Sequence, residues 1–376
     1  MRILRVVNSS DAGGIFACEI QFIEELKKRD VIIDAVIVGD GDKTEEYKKI
    51  CNLTYSVPAL DFNYSGSPLK IVSAIAKNIN LSSKYVEDLK KQIPSDINYD
   101  VIMYQKTIYI HLVGNLAKSL NAKAMWHLPC IIRTNFGKLY YSYFCKKYEI
   151  IQVANSLYTK TTLGKQCKYV VYPGYDPKRI QKGASTFRKM LVLDSNVPVY
   201  GIAARMHEYK AQDIVVEAFV KSNIPSVGGH LLVAGGPLDS DYAQEVQGKA
   251  GALLNKQVHF LGEIKDMSEF YSSVNIIING RRNVEPFGIS IAEAIGAGKP
   301  VIAYKLGGPS EMIVDGANGW LVDNPTTQSY KDAFNLSIEN KNKWLKMGEF
   351  AKESSHKFTV EENVNTLMHI INNSKN

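Results

Sequence analysis

The sequence predicts an α/β protein made of two successive halves, each built on a parallel sheet. Three observations carry this. Apolar, β-branched stretches alternate with helical segments along the whole chain, as strand–helix–strand units with right-handed crossovers require. Several stretches, such as His230-Leu231-Leu232-Val233-Ala234, are continuously apolar after their first residue, the pattern of strands buried on both faces. A turn-rich break, Tyr172-Pro173-Gly174-Tyr175-Asp176-Pro177, interrupts the alternation near the middle, and a clean strand restarts it after a polar, basic stretch over 178–196.

Taken in order, the first half holds strand candidates at 3–8, 33–38, 101–105, 122–127, 150–154 and 170–172. The second holds them at 199–204, 230–234, 258–261, 274–278, 300–304 and 319–322. Domains over 1–176 and 177–358 follow. The last stretch, 359–372, reads as an amphipathic helix with apolar Val360, Val364, Leu367, Met368, Ile370 and Ile371. Thr359 caps it, with Glu362 at the third helical position.

Length and composition bound the rest. The chain has 376 residues, 45% hydrophobic and 22% charged, which excludes a mainly disordered, collagenous or coiled-coil protein. No apolar stretch approaches the roughly 20 residues of a membrane-spanning helix. The start, Met1-Arg2-Ile3-Leu4-Arg5, turns polar too soon for a signal peptide. Five cysteines with no C-x-x-C suggest neither a zinc site nor a disulfide framework, and a reducing cytoplasm is expected.

Charge is unevenly spread. Of the net +7, residues 1–176 carry +6, and the stretch 101–168 holds ten Lys/Arg against Glu149 alone. Such an excess attracts lipid headgroups, phosphates or nucleic acid, or is simply a solvated lysine-rich surface.

In parallel α/β domains ligands bind beyond the carboxyl ends of strands, so the loops there are the candidates for chemistry. After the first strand comes Asn8-Ser9-Ser10-Asp11-Ala12-Gly13-Gly14. Its glycines let a backbone approach a phosphate or sugar at a helix start, or serve a tight turn. It is not G-x-G-x-x-G. After the first strand of the second half, Arg205 and Lys210 straddle a turn. They are either a pair of exposed cations or a clamp on one diphosphate, Arg by its fork and Lys as a point charge.

The richest stretch is Asn283-Val284-Glu285-Pro286-Phe287-Gly288-Ile289-Ser290-Ile291-Ala292-Glu293, which opens a helix after a buried strand. Its amides at Phe287, Gly288 and Ile289 suit an anion or sugar hydroxyl. Glu285 precedes the helix and Glu293 lies one turn inside. As carboxylates they accept from hydroxyls, and Glu293 alternatively forms a structural salt bridge. His127 ends a strand of the first half and either meets a ligand or is a bland core histidine.

Two signals are discounted. Asp239-Ser240-Asp241 spells a metal motif but starts a helix, where Ser240 or Asp241 reads as an N-cap. The aromatic, basic segment 138–148 resembles a membrane or nucleic-acid patch, but Leu139, Tyr143 and Tyr140, Phe144, Tyr148 fall at helical spacing, as in a core helix.

Together these motifs resemble glycosyltransferase family 4, the retaining transferases of GT-B fold and bacterial surface-glycan type. The resemblance spans nearly the whole chain. It includes Gly13-Gly14, Asn155-Ser156 with Thr159-Lys160, and Val170 to Pro177. Further matches are Arg205 with Lys210, Gly235-Gly236-Pro237, and Phe260-Leu261-Gly262. Glu285 and Glu293 match the family's E-x7-E, followed by Gly296, Gly298, Pro300 and by Gly307-Gly308 with Glu311. Met103-Tyr104-Gln105 departs from the His-rich strand end frequent in the family.

The resemblance implies two facing Rossmann-like domains with a deep cleft between them and the last helix packed back on the first. It implies a sugar transferred from a nucleotide donor, UDP- or GDP-linked, to a glycan or lipid-linked acceptor. Arg205 and Lys210 would hold the diphosphate, Glu293 the ribose, and Glu285 the sugar with the amides of Phe287, Gly288 and Ile289. Gly262 and Ile264 would border the base, Gly13 and Gly14 would approach from the first domain, and His127 would bond the sugar or orient the acceptor. No metal, no separate cofactor and no nucleic-acid partner are expected. The setting would be the cytoplasm, with peripheral attachment to an anionic membrane. The alternatives are a nucleotide-sugar epimerase or NAD-dependent oxidoreductase, or a catalytically silent binding subunit.

Overall fold

The computed structural model describes residues 1–374 apart from Ala12, Asn63, Ser65 and Lys182. The chain divides into two compact units, one of residues 1–173 with 363–376, the other of 174–362. The division falls within the turn-rich break and again early in the last helix, Val360–Asn373, whose cap is the Thr359 hydroxyl accepting from the Glu362 amide.

The first unit is a seven-stranded parallel sheet. Its strands are β1 (Arg2–Asn8), β2 (Ile32–Val38), β3 (Thr54–Val57), β4 (Val101–Tyr104), β5 (Lys123–Leu128), β6 (Ile151–Ala154) and β7 (Tyr169–Val170). Their order is β3-β2-β1-β4-β5-β6-β7. The sequence reading omits β3, a four-residue edge strand whose Thr-Tyr-Ser-Val alternates between exposed and buried and so lacks a continuous apolar run. Leu4, Ile102 and Ala124 are buried from adjacent strands, which is why β1, β4 and β5 read as uninterrupted apolar stretches.

The second unit is a six-stranded parallel sheet of β8 (Val199–Ala203), β9 (His230–Ala234), β10 (Val258–Gly262), β11 (Ile276–Asn279), β12 (Val301–Tyr304) and β13 (Gly319–Val322). Their order is β10-β9-β8-β11-β12-β13. Each sheet reverses its strand order once, between β1 and β4 and between β8 and β11. Neighbouring strands there send their following helices in opposite directions and leave a crevice at their carboxyl ends.

The first unit buries charge beneath its switch point and matches it internally. The Arg5 guanidinium, on β1, donates from both Nε and Nη2 to the Glu19 carboxylate. Gln105 donates to the same carboxylate at 2.7 Å.

One helix departs from its expected role. Asn135–Lys147 buries Tyr140, Tyr141 and Cys145, but Leu139 and Tyr143 are 73% and 63% exposed. Both belong to an outward stripe with Phe136, so the core-helix reading is wrong for two of its five residues, Leu139 and Tyr143. The helical period supplies two apolar faces, and only the one bearing Tyr140 faces the sheet.

Candidate active site

The loops after β8, β10 and β11 supply most of the site residues expected from the sequence, around the β8/β11 switch point. Lys210 ends the short helical turn Glu208–Lys210, fixed by its own amide donating to the His207 carbonyl at 2.8 Å. Its ammonium lies 3.7 Å from Glu285 Oε2 and is mostly buried. Burial is the main influence on that ammonium and pulls its pKa below the ordinary lysine value, against the attraction of Glu285. Arg205 sits earlier in the same loop and is exposed. Its carbonyl accepts from Gln212 Nε2 at 2.8 Å, which holds the loop while leaving the guanidinium outside.

Glu285 stands just before the helix Ile289–Gly296, tied by backbone hydrogen bonds to Leu306 and Gly308. Gly288 supplies the N-cap in the left-handed region, at φ 100°, a conformation that L side chains rarely adopt. Phe287 is buried, and the helix then starts at Ile289, where the first amides have no intrahelical carbonyl to bond.

Glu293 lies one turn in, buried on the same helix. Tyr271 donates its hydroxyl to Oε2 at 2.9 Å, and Arg179 Nε is 3.7 Å from Oε1. Burial raises the Glu293 pKa above the usual carboxylate range, opposed by Arg179 and Tyr271. Neither partner was anticipated. No motif marks Tyr271 or Arg179, and only the fold brings the helix Met267–Ser273 and the 177–180 turn to Glu293. Gly262 ends β10, and its carbonyl accepts from the Gly235 amide at 2.7 Å, with Ile264 two residues beyond.

The first unit carries the remaining candidates. Gly13 and Gly14 are exposed at the start of the helix Gly14–Lys27, following β1. Asp11, in the same loop, pairs with Lys106 after β4 at 3.0 Å. His127 differs from its expected role. Its ring is buried in β5, Nε2 lies 2.7 Å from the Val171 carbonyl, and Phe22 packs against it. Burial lowers its pKa to about 4, so the ring is neutral near pH 7 and Nε2 carries the proton to that carbonyl. This is a core histidine whose donor is already used.

In the Asp239-Ser240-Asp241 segment, Ser240 is the helix cap, and its hydroxyl caps Asp241–Ala250. Among the described residues no three His, Cys, Asp or Glu side chains are grouped to hold a metal, and no helix is long and apolar enough to cross a membrane.

Solved structures share this fold. The class is a GT-B glycosyltransferase fold. The chain matches a solved glycosyltransferase of Rickettsia africae with TM-score 0.80 at 22% identity, over 99% of this chain and 98% of that one. It also matches Anabaena HepE, solved with UDP and glucose, with TM-score 0.77 at 22% identity over 99% and 100%. More particularly, residues 184–354 match the family described as glycosyl transferases group 1.

Among curated relatives, a D-inositol 3-phosphate glycosyltransferase of Corynebacterium urealyticum is 23% identical over 54% of this chain. The alpha-1,3/1,6-mannosyltransferase ALG2 of Dictyostelium discoideum is 34% identical over 31% of it. The matches span 50% and 33% of those two proteins' own lengths.

Proposed function

We propose that the protein transfers a sugar from a nucleotide-sugar donor to an acceptor hydroxyl, with retention at the anomeric carbon and without a metal. One observation carries the reading: Lys210 and Glu285, from loops after β8 and β11, meet at the switch point of the second sheet. A cation and a carboxylate there suit the two ends of a sugar diphosphate. Lys210 and Arg205 take the charge that grows on the leaving diphosphate, and Glu285 accepts from sugar hydroxyls beside the amides at Phe287, Gly288 and Ile289. Glu293 takes the ribose hydroxyls, with its carboxylate turned by Tyr271. Gly262 and Ile264 border the base.

The solved HepE complex holds UDP, which supports a UDP-linked donor ahead of a GDP-linked one. Two cations at the diphosphate fill the role a divalent ion has elsewhere, so turnover is expected in excess chelator. The resemblance to family 4 supports retention, with the leaving phosphate receiving the acceptor proton on the same face.

The acceptor is a glycan or lipid-linked intermediate of a surface polysaccharide, met by the first unit at the cytoplasmic face of an anionic membrane. The exposed stripe Phe136, Leu139 and Tyr143, beside Lys138, Lys146 and Lys147, supports this acceptor class. The test is turnover of UDP-, GDP-, ADP- and dTDP-sugars with polysaccharide and lipid diphosphate acceptors, in chelator, with the product's anomeric configuration read by NMR. No turnover of any donor, or an inverted product, removes the reading.

A further inference from the structure

A second cation stands with Lys210 at the Glu285 carboxylate. Arg281, two residues beyond the end of β11, has its Nε 3.4 Å from the Glu285 oxygen that Lys210 approaches at 3.7 Å. The Arg281 side chain is only 15% exposed, and its Nε makes no hydrogen bond. Its guanidinium carbon lies 4.9 Å from the centre of the Tyr209 ring, and Lys210 Nζ lies 5.6 Å from the same centre. One aromatic ring therefore lies against both cations beside one carboxylate.

The fold builds this closeness. A Cβ on Gly280 would come within 2.5 Å of the Lys210 carbonyl oxygen, so only glycine lets the strand end run so near the cation loop. Arg282, next along, stitches the two segments together. Its amide donates to the Tyr209 carbonyl at 3.1 Å, its Nε to the Glu208 carbonyl at 2.9 Å, and its Nη2 to Asp213. The two adjacent arginines thus differ. Arg282 is matched within the protein, while Arg281 is buried with a donor left over.

We infer that Arg281 is a positioning residue for the donor diphosphate: it neutralises Glu285 and so releases Lys210 to the leaving phosphates. This rests on the donor reading above. Without Arg281, Lys210 is the cation left at Glu285 among the described residues, and the ammonium is held on the carboxylate. With it, Arg205, Lys210 and Arg281 against Glu285 leave two positive charges, which matches the two negative charges of a sugar diphosphate.

The experiment is calorimetric titration of the whole chain with UDP, GDP and the bare nucleosides. Arg281→Gln is expected to weaken the better-bound diphosphate about tenfold or more, with nucleoside affinity unchanged. Arg281→Gln combined with Glu285→Gln restores the charge balance and is expected to recover diphosphate affinity to within about threefold of wild type, as is Arg281→Lys. Unchanged diphosphate binding by Arg281→Gln, or no recovery in the double variant, overturns the inference. A tenfold loss in Arg281→Lys does so whether or not Arg281→Gln folds. Wild type that binds neither diphosphate removes the donor reading itself, a separate outcome.

Discussion

The two switch points treat buried charge differently. At the first, Arg5 gives both its Nε and one terminal nitrogen to Glu19, and Gln105 fills that carboxylate further. At the second, Lys210 and Arg281 sit 3.7 and 3.4 Å from Glu285, and the Arg281 Nε has no hydrogen-bond partner. A buried ion pair with complete hydrogen bonding is a structural device, because a ligand entering there would have to break it. A cluster with unmatched donors carries a desolvation cost that a ligand can relieve. The contrast separates two charged clusters that composition alone cannot tell apart.

Acid should strain the first unit more than the second. Burial lowers the pKa of His111 and His127 to about 4, and both lie in the first unit. His230 and His259, stacked on each other in the second, are lowered without reaching so far. A histidine whose folded pKa lies below its unfolded value of about 6.5 contributes fully above that pH and loses its contribution as pH falls toward the folded value. For His111 and His127 together the loss is on the order of 5 kcal/mol between pH 7 and pH 4. Hydrogen exchange at pH 7 and pH 5 should show β4 and β5 losing more protection than β11 and β12. Equal losses contradict the assignment.

Breaking the matched pair should cost stability. Glu19→Ala leaves Arg5 buried without its carboxylate, and about 3–5 kcal/mol should be lost. That lowers the melting temperature by roughly 10 °C. A melting point within a degree or two of wild type would show that the site relaxes to admit water.

The second switch point should respond in turnover instead. Glu293→Gln and Arg205→Ala are each expected to lower kcat/KM at least about 100-fold, equivalent to about 2.7 kcal/mol, with little change in melting for the exposed Arg205. Near-normal turnover in both variants would leave the second switch point without a function.

How far these two regions were legible in the sequence differs too. The glutamates on either side of the helix start are visible because E-x7-E brings both to one helix end, and the order Arg205, Lys210, Glu285 falls on strand-end loops. Arg281 was not legible. Arg281 and Arg282 are adjacent and chemically identical, and only Gly280's closeness to the Lys210 loop decides which of them enters the cluster. His127 misled because a strand end looks the same whether the ring reaches a ligand or a neighbouring carbonyl. Leu139 and Tyr143 misled because an apolar helical period does not state which face meets the sheet. The strands themselves were legible wherever both faces are buried, and β3, with one side turned to solvent, was the exception.

The exposed helix yields the smallest expected effect. Each lysine near an anionic surface contributes about 1 kcal/mol. Lys138, Lys146 and Lys147 changed to Glu should therefore reduce co-sedimentation with anionic vesicles at low salt, and 1 M salt should do the same to wild type, where the Debye length is about 3 Å. Lys106 is a poor choice for this series, since it is paired with Asp11. Equal binding by wild type and the triple variant would favour a soluble acceptor.

Lys210→Met tests most directly whether the second switch point is a diphosphate site. In calorimetry of the whole chain with UDP and uridine, wild type should bind UDP well above uridine, and Lys210→Met should lose at least about tenfold for UDP and nothing for uridine. Equal UDP affinity in the two proteins, or wild type that does not prefer UDP to uridine, would contradict it.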